Sequence, residues 1–309
     1  MKKFTPSPVP LLLLAACATD PAADEPPGFV EVDVGGRSML VERASPGPGS
    51  GTKADGAAPT APPTITVRDV EYRDGDTLLR GHLALPDSSA SPRPAVLVVH
   101  EWWGRTKHSD GSAEELARLG YVGLAIDMYG EGRTTTDAEE AGKWAGAIRK
   151  DPETMRRRLR AALDFVRSLP ATDDARVACI GYCFGGTMSL EAAWSGLDLR
   201  AVVSFHGSLT APKPEDAAGI RASVLVLHGA DDTLVSEESI EALQKALREA
   251  GCDWQFVSYG GAVHSFTNPA ADGSRSPLVK HHPVAAARSW EAMLDFLGER
   301  FASPPPAPK

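Results

Sequence analysis

The stretch Val177-Ala178-Cys179-Ile180-Gly181-Tyr182-Cys183-Phe184-Gly185-Gly186 decides the fold. Residues 177–180 form a short apolar run of the kind that marks a buried strand, and residues 187–194 continue with a helical pattern. Between them, Cys183 stands two residues from Gly181 on one side and from Gly185 on the other. A strand that turns this directly into a helix leaves almost no room for side chains beside its apex, so both flanks are glycine. The apex residue is pushed out at the carboxyl edge of the sheet. A cysteine there stands as a nucleophile.

Strand and helix patterns alternate on both sides of this turn. Residues 64–72 and 78–85 alternate as strands about Asp74-Gly75-Asp76. Residues 95–99 read as a strand buried on both faces. Helical periodicity covers 113–119, 137–149 and 153–168, with a strand at 121–126 between the first two. Strands follow at 201–205, 224–227 and 254–258, and helices at 237–250 and 284–297. An antiparallel hairpin followed by this alternation predicts one α/β domain over residues 64–302, a doubly wound, mostly parallel sheet with helices on both faces.

The amino terminus reads differently. Lys2 and Lys3 precede a short apolar segment, residues 11–16, too brief for a membrane span and suited to a secretion signal. Leu14-Ala15-Ala16-Cys17 resembles a bacterial lipobox, which implies a signal over residues 1–17 and a lipidated Cys17; a plain secretory signal is the alternative. Either places the protein in the bacterial envelope or outside it, lipid-anchored at the periplasmic or outer-membrane face or secreted. Residues 18–63 are rich in proline, glycine and alanine and read as a tether. Within it, residues 29–34 and 39–41 flank Gly35-Gly36 as a small hairpin, either an added edge or a flap. The proline-rich residues 303–309 read as a disordered tail.

The chain has 309 residues, 42% of them apolar and 24% charged, with a net charge of −9. That balance argues against nucleic-acid binding, which needs a basic footprint. The cluster Arg156-Arg157-Arg158 with Arg160 is the basic exception and reads as a solvated helix face, with contact to anionic lipid headgroups as the alternative. If Cys17 carries lipid, Cys179, Cys183 and Cys252 remain, an odd number, so at least one thiol is unpaired within the chain. Cys179 and Cys252 read as packed core residues.

In a doubly wound sheet, reactive groups belong at the carboxyl ends of strands. Cys183 is at one such end, Asp231-Asp232 follow the next-to-last strand, and His264 follows the last. His82 falls mid-strand and His281-His282 in a polar loop, while His100, His206 and His228 end other strands. Position therefore selects His264 as the base. The adjacent His281-His282 pair lacks the spaced partners of a metal site, and no cofactor is expected.

Four segments together resemble the dienelactone hydrolase family within the α/β-hydrolases. They are Gly181 to Gly186, the loop His228-Gly229-Ala230-Asp231-Asp232, the segment His264-Ser265-Phe266, and Val98-Val99-His100-Glu101-Trp102-Trp103-Gly104. The resemblance implies an α/β-hydrolase fold and the chain order nucleophile, acid, histidine. It selects Asp232 over Asp231 through the spacing from Gly229 to Val235, and it assigns Glu101 to the activation of the Cys183 thiol, with bracing of the loop as the alternative. It also implies an oxyanion hole made by the backbone N–H groups of Phe184 and Trp102. Trp102 and Trp103 either wall the acyl pocket or pack beneath the loop. Tyr129, Arg133, His206 and Phe266 complete the expected pocket.

The chain departs from the family where arginines hold the carboxylate of dienelactone. It reads Asp127-Met128-Tyr129-Gly130-Glu131-Gly132-Arg133 at one place and Thr267-Asn268 at the other. The expected activity is therefore hydrolysis of small carboxylic esters or lactones other than dienelactone, through a thioacyl-enzyme. The alternatives are a thioesterase on the same residues, separable by competition between oxygen esters and thioesters, and a binding lipoprotein with a dormant site, separable by labelling of Cys183.

Overall fold

The computed structural model describes residues 64–87 and 91–302 in full, together with two short strands nearer the amino terminus. The chain divides into two compact units after Thr60. In the first, β1 (Phe29–Asp33) and β2 (Ser38–Glu42) pair antiparallel, with Phe29 opposite Glu42 and Asp33 opposite Ser38. This is the hairpin expected about Gly35-Gly36. The signal-like segment 1–17 with Cys17, the remainder of 18–63 and the tail 303–309 lie outside the described residues.

The second unit is built on an eight-stranded sheet. β3 (Ile65–Asp74) and β4 (Thr77–Pro86) form the antiparallel edge. The other strands are β5 (Arg93–Val99), β6 (Val122–Ile126), β7 (Thr172–Tyr182), β8 (Ala201–Phe205), β9 (Ser223–Gly229) and β10 (Trp254–Tyr259). Their order across the sheet is β10-β9-β8-β7-β5-β6-β4-β3, and all pairs from β6 to β10 are parallel. The chain runs from β5 to β6 on one side and later returns to place β7 on the other. In open α/β sheets a ligand site lies at such a reversal, beyond the carboxyl ends of the strands. In register, Val99 of β5 lies beside Gly181 of β7, so the segments leaving these strands are neighbours.

The parallel strands carry apolar residues on both faces because helices cover both. On one face lie α2 (Ala138–Lys150), α3 (Pro152–Arg167), α4 (Phe184–Trp194) and α6 (Glu237–Ala250), whose Ile148, Leu159, Met188 and Leu247 share a cluster with Leu97, Val99 and Cys179. On the other lie α1 (Lys107–Arg118) and α7 (Pro283–Ala302), whose Leu116, Met293 and Leu297 pack with Val96, Val98 and Ile180. Each large aliphatic side chain so buried contributes roughly 1.5–3 kcal/mol. The helices start where short polar side chains take up free N–H groups: Asp137 caps α2, Asp151 caps α3 ahead of Pro152, and Ser236 caps α6. α5 is a single turn, Pro214–Ala217.

Two expectations are corrected here. α1 begins at Lys107, six residues before the apolar periodicity, because Thr106 and Ser109 form a capping box in which the Thr106 N–H donates to Ser109 Oγ at 3.2 Å. The arginine cluster of α3 is a solvated face only in part, since Arg157 and Arg160 are exposed and Arg158 is not. Arg156 pairs with Asp216 at 2.8 Å and Arg157 with Asp74 at 2.9 Å, while Arg158 is buried and donates to the Met128 carbonyl. Among the described residues no helix is long and apolar enough to cross a membrane.

Candidate active site

The turn between β7 and α4 is as tight as its glycines imply. Cys183 has φ 54° and ψ −112°, a strained conformation for a residue with a side chain. A Cβ on Gly181 would fall 2.1 Å from the Gly185 carbonyl oxygen, and one on Gly185 would fall 2.2 Å from that of Val99. Both obstacles are backbone, so neither position admits alanine without moving a strand. Cys183 N–H is shared between the Phe205 carbonyl at 3.0 Å and His206 Nδ1 at 3.1 Å, which holds the apex in place.

Three strand ends converge on the cysteine. His264 Nε2 lies 3.1 Å from Cys183 Sγ, and His264 Nδ1 lies 2.8 Å from Asp232 Oδ2. The Asp232 side chain is fully enclosed, and its Oδ1 accepts the Leu234 N–H at 3.1 Å. Asp231, one residue earlier, is exposed. Burial pulls the His264 pKa down, but the negative charge on Cys183 and the hydrogen bonds with Asp232 and Cys183 outweigh it and push it up to about 10. His264 Nε2 is thus within proton-transfer reach of the sulfur, the arrangement of a nucleophile beside its base.

The segment after β5 borders the same site. Trp102 and Phe184 keep backbone N–H groups that donate to nothing among the described residues. The Trp102 carbonyl accepts from Tyr129 Oη at 2.9 Å, and the Tyr129 ring lies 4.8 Å from His100 and 5.4 Å from Phe184. His100 fastens the segment from within, with Nδ1 donating to the Glu101 carbonyl at 2.5 Å and Nε2 accepting the Met128 N–H at 3.2 Å. Burial lowers the His100 pKa and keeps it neutral. Glu101 is buried; its carboxylate accepts from Asn268 Nδ2 at 2.6 Å and Ser265 Oγ at 3.5 Å, and His108 Nδ1 stands 3.7 Å away. No hydrogen bond joins Glu101 to the Cys183 sulfur among the described residues.

A cavity of about 1490 Å³ opens onto Cys183, His264 and Glu101, with Trp102 and Trp103 in its wall. The Trp103 ring faces Trp102 at 4.7 Å and carries the Arg275 guanidinium at 5.2 Å. Four residues expected at the pocket do not line it. Tyr129 is buried beneath the Trp102 loop. Arg133 turns inward, donating to the Tyr129 carbonyl at 2.7 Å and the Gly130 carbonyl at 3.2 Å. His206 is buried behind the elbow, its Nε2 2.7 Å from Thr267 Oγ1, and desolvation first, then the neighbouring His264 charge, keep its pKa well below the ordinary value. Phe266 is fully buried against Tyr259 and His206.

Residues 79–301 match the dienelactone hydrolase family profile. The chain belongs to the dienelactone hydrolase family. It is a hydrolase with an α/β-hydrolase fold. Among solved structures it is similar to m3DLH, 42% identical with a TM-score of 0.75, over 77% of this chain and 99% of that one. A dienelactone hydrolase-like promiscuous phosphotriesterase, P91 from metagenomic libraries, is 40% identical with a TM-score of 0.74, over 76% of this chain and 98% of P91. A Yersinia pestis relative named "Putative carboxymethylenebutenolidase" is 30% identical over 245 residues, 75% of this chain and 87% of that protein.

The cavity of this hydrolase also holds groups that the sequence pattern did not mark. His108 lies on α1, in a stretch whose polar first turn hid the helix. Arg149 lines the cavity from the end of α2, its guanidinium 5.5 Å above the Phe184 ring. Once α1 is extended to Thr106, His108, Ser112 and Glu115 fall at helical spacing on one cavity-facing side; that spacing was the available signal.

Proposed function

We propose that this protein hydrolyses small carboxylic esters or lactones through a thioacyl-enzyme on Cys183. The observation that carries this reading is the unbroken chain Asp232–His264–Cys183, with its sulfur at the mouth of the cavity. Cys183 Sγ passes its proton to His264 Nε2 and attacks the ester carbonyl carbon, and the carbonyl π-electrons move to oxygen. The N–H groups of Phe184 and Trp102 receive that oxyanion; donors fixed in advance need no reorganisation as charge develops. The intermediate collapses, the C–O bond breaks, and His264 gives its Nε2 proton to the departing alkoxide. Asp232 keeps the imidazole oriented and stabilises its charged form. Water then attacks the thioester, losing its proton to His264, and the acid leaves as the sulfur regains its electrons. Glu101, released from Asn268 as substrate enters, serves to tune the charge on Cys183.

Dienelactone fits this reading poorly, because Arg133 is committed to the carbonyls of residues 129 and 130 and Asn268 is neutral. The similarity to P91 adds a phosphotriester to the substrates worth trying. The test is hydrolysis of aryl esters, lactones including dienelactone, a thioester and a phosphotriester by wild type and Cys183→Ala. Loss of at least 10³-fold in kcat/KM on an ester is expected. A folded Cys183→Ala that hydrolyses esters as well as wild type overturns the proposal, and a folded, inert wild type points to a dormant site. The envelope location belongs to the same proposal: membrane-fraction recovery should depend on Cys17, and recovery unchanged in Cys17→Ala would remove the lipid anchor.

A further inference from the structure

The cavity is larger than a small lactone needs, and its excess has a definable place. Its volume of about 1490 Å³ compares with roughly 300–1,000 Å³ for a usual small-molecule site. α1 and α7 cover the same face of the sheet, and deep in that layer they are joined through one apolar cluster containing Leu116, Met293, Phe296 and Leu297. Nearer the carboxyl edge their cavity-lining positions change to small residues, Gly111 and Ser112 on α1 and Ala286, Ala287 and Ser289 on α7. Two helices that share large side chains at one end and present small ones at the other leave a gap at the small end, open to solvent at Gly111 and Ala287.

That gap is continuous with the site, because the same cavity is lined by Cys183 and His264. Tyr182 and Phe205, stacked 4.8 Å apart and almost wholly buried, form its floor, and Trp290 of α7 its side. Gly111 is exposed and a Cβ on it meets nothing within 4 Å, so a side chain added there has room to extend over the open side of the gap. The outer rim carries Glu115 and Glu291, both exposed, with Lys107 only at the first turn of α1. The guanidinium groups of the cavity, Arg149 and Arg275, stand on its other side, against Phe184 and Trp103. An aromatic floor, with the His108 ring 4.4 Å from Tyr182, walls of glycine, alanine and serines whose hydroxyls donate to their own helix, and an acidic rim suit an uncharged hydrocarbon chain and disfavour an anionic one.

We propose that the gap between the amino-terminal halves of α1 and α7 is a chamber for an apolar chain of the ester, making the enzyme selective for medium-chain over acetyl or methyl esters. The proposal rests on the ester-hydrolase reading of Cys183. The test measures kcat/KM in two series, p-nitrophenyl esters from acetate to octanoate and alkyl acetates from methyl to octyl, which distinguish an acyl chain from an alcohol chain.

In one series kcat/KM should rise at least tenfold from the shortest to the eight-carbon member. Gly111→Phe should lower that ratio at least tenfold by filling the chamber, and Gly111→Leu should lower it in the same direction by less. Both substitutions replace glycine within a helix, which favours folding. Gly298→Phe, also open around its Cβ but outside the cavity, should leave the ratio unchanged. In the acyl series, if that is the one that rises, the suberate half-ester should react at least tenfold more slowly than octanoate. A flat profile in both series, a chain-length ratio untouched in both Gly111 variants, or equal rates for suberate and octanoate in a rising acyl series overturns the chamber. Wild type inert on every ester would instead overturn the reading of Cys183 on which it rests.

Discussion

Two sets of polar residues stand at neighbouring strand ends, and they differ in where their polar atoms point. Cys183, His264 and Asp232 are turned toward one another at the cavity. His100, Asp127, Arg133 and His206 are turned largely into the backbone. Asp127 alone accepts from the N–H groups of Arg80, Tyr129, Gly130 and Gly132. Such groups are satisfied, and a satisfied buried group braces rather than reacts. Position at the carboxyl edge is therefore necessary for chemistry but does not separate the two sets; the direction of the hydrogen bonds does.

The two adjacent aspartates give the sharpest way to break this distinction. Asp232→Asn should lower kcat on an ester by about 10²–10⁴, since it disturbs the tautomer and the charge of His264. Asp231→Asn, on an exposed carboxylate, should stay within about twofold. Equal losses in steady-state kinetics would show that the hydrogen-bonded chain is not what matters.

Titration separates the histidines in the same way. By NMR, His264 should lose its proton near pH 10, while His100 and His206, whose pKa values burial lowers, should be neutral throughout the neutral range. Because the folded pKa of His264 lies above its ordinary 6.5, its contribution to stability is complete below about pH 6.5 and is lost as pH rises through 10. Cys183→Ala removes the interactions with Cys183 that raise the His264 pKa, so that pKa should fall and the alkaline loss should shrink. A His264 pKa unchanged in Cys183→Ala would show that Cys183 is not what raises it.

What the sequence disclosed and what it hid follow the same division. The elbow was legible because a steric demand fixes glycine at Gly181 and Gly185, and the strands because burial on both faces leaves continuous apolar runs. His264 was legible from topology, as the end of the last strand, while topology left Asp231 and Asp232 open and the family resemblance chose between them. Tyr129, Arg133, His206 and Phe266 were misplaced because a strand end specifies where a residue starts, not which way its side chain turns. The start of α1 was missed since its first turn is polar and held by Thr106 and Ser109. The buried role of Arg158 was missed because its partner is a carbonyl, on Met128, that no residue pattern can mark.

The steric half of the argument has its own test. Gly185→Ala should destabilise the fold by about 3 kcal/mol or more in urea unfolding, since the new methyl would meet the Val99 and His100 carbonyl oxygens at 2.2 and 2.6 Å. Gly146→Ala, in α2 with open space around it, should instead stabilise by about 0.5–1 kcal/mol. A mild effect at Gly185 would mean that the turn has room, and the reason given for its glycines would fail.

The smallest effect belongs to Arg133, and it bears most closely on substrate choice. Its guanidinium bonds the carbonyls of Tyr129 and Gly130 and lies 5.7 Å from the Trp144 ring centre, so it braces the loop that carries Tyr129. Arg133→Met keeps the packing over Trp144 and gives up two partly buried hydrogen bonds, a loss of about 1–2 kcal/mol in stability. Because the side chain does not reach the cavity, kcat/KM should fall only about twofold to threefold, by the same factor for a neutral ester and for one bearing a carboxylate. An anion-binding arginine behaves differently: its removal would cost the carboxylate-bearing ester at least tenfold and spare the neutral one. Measuring both substrates on this one variant therefore decides whether the loop after β6 belongs with the bracing residues or with those that select the substrate.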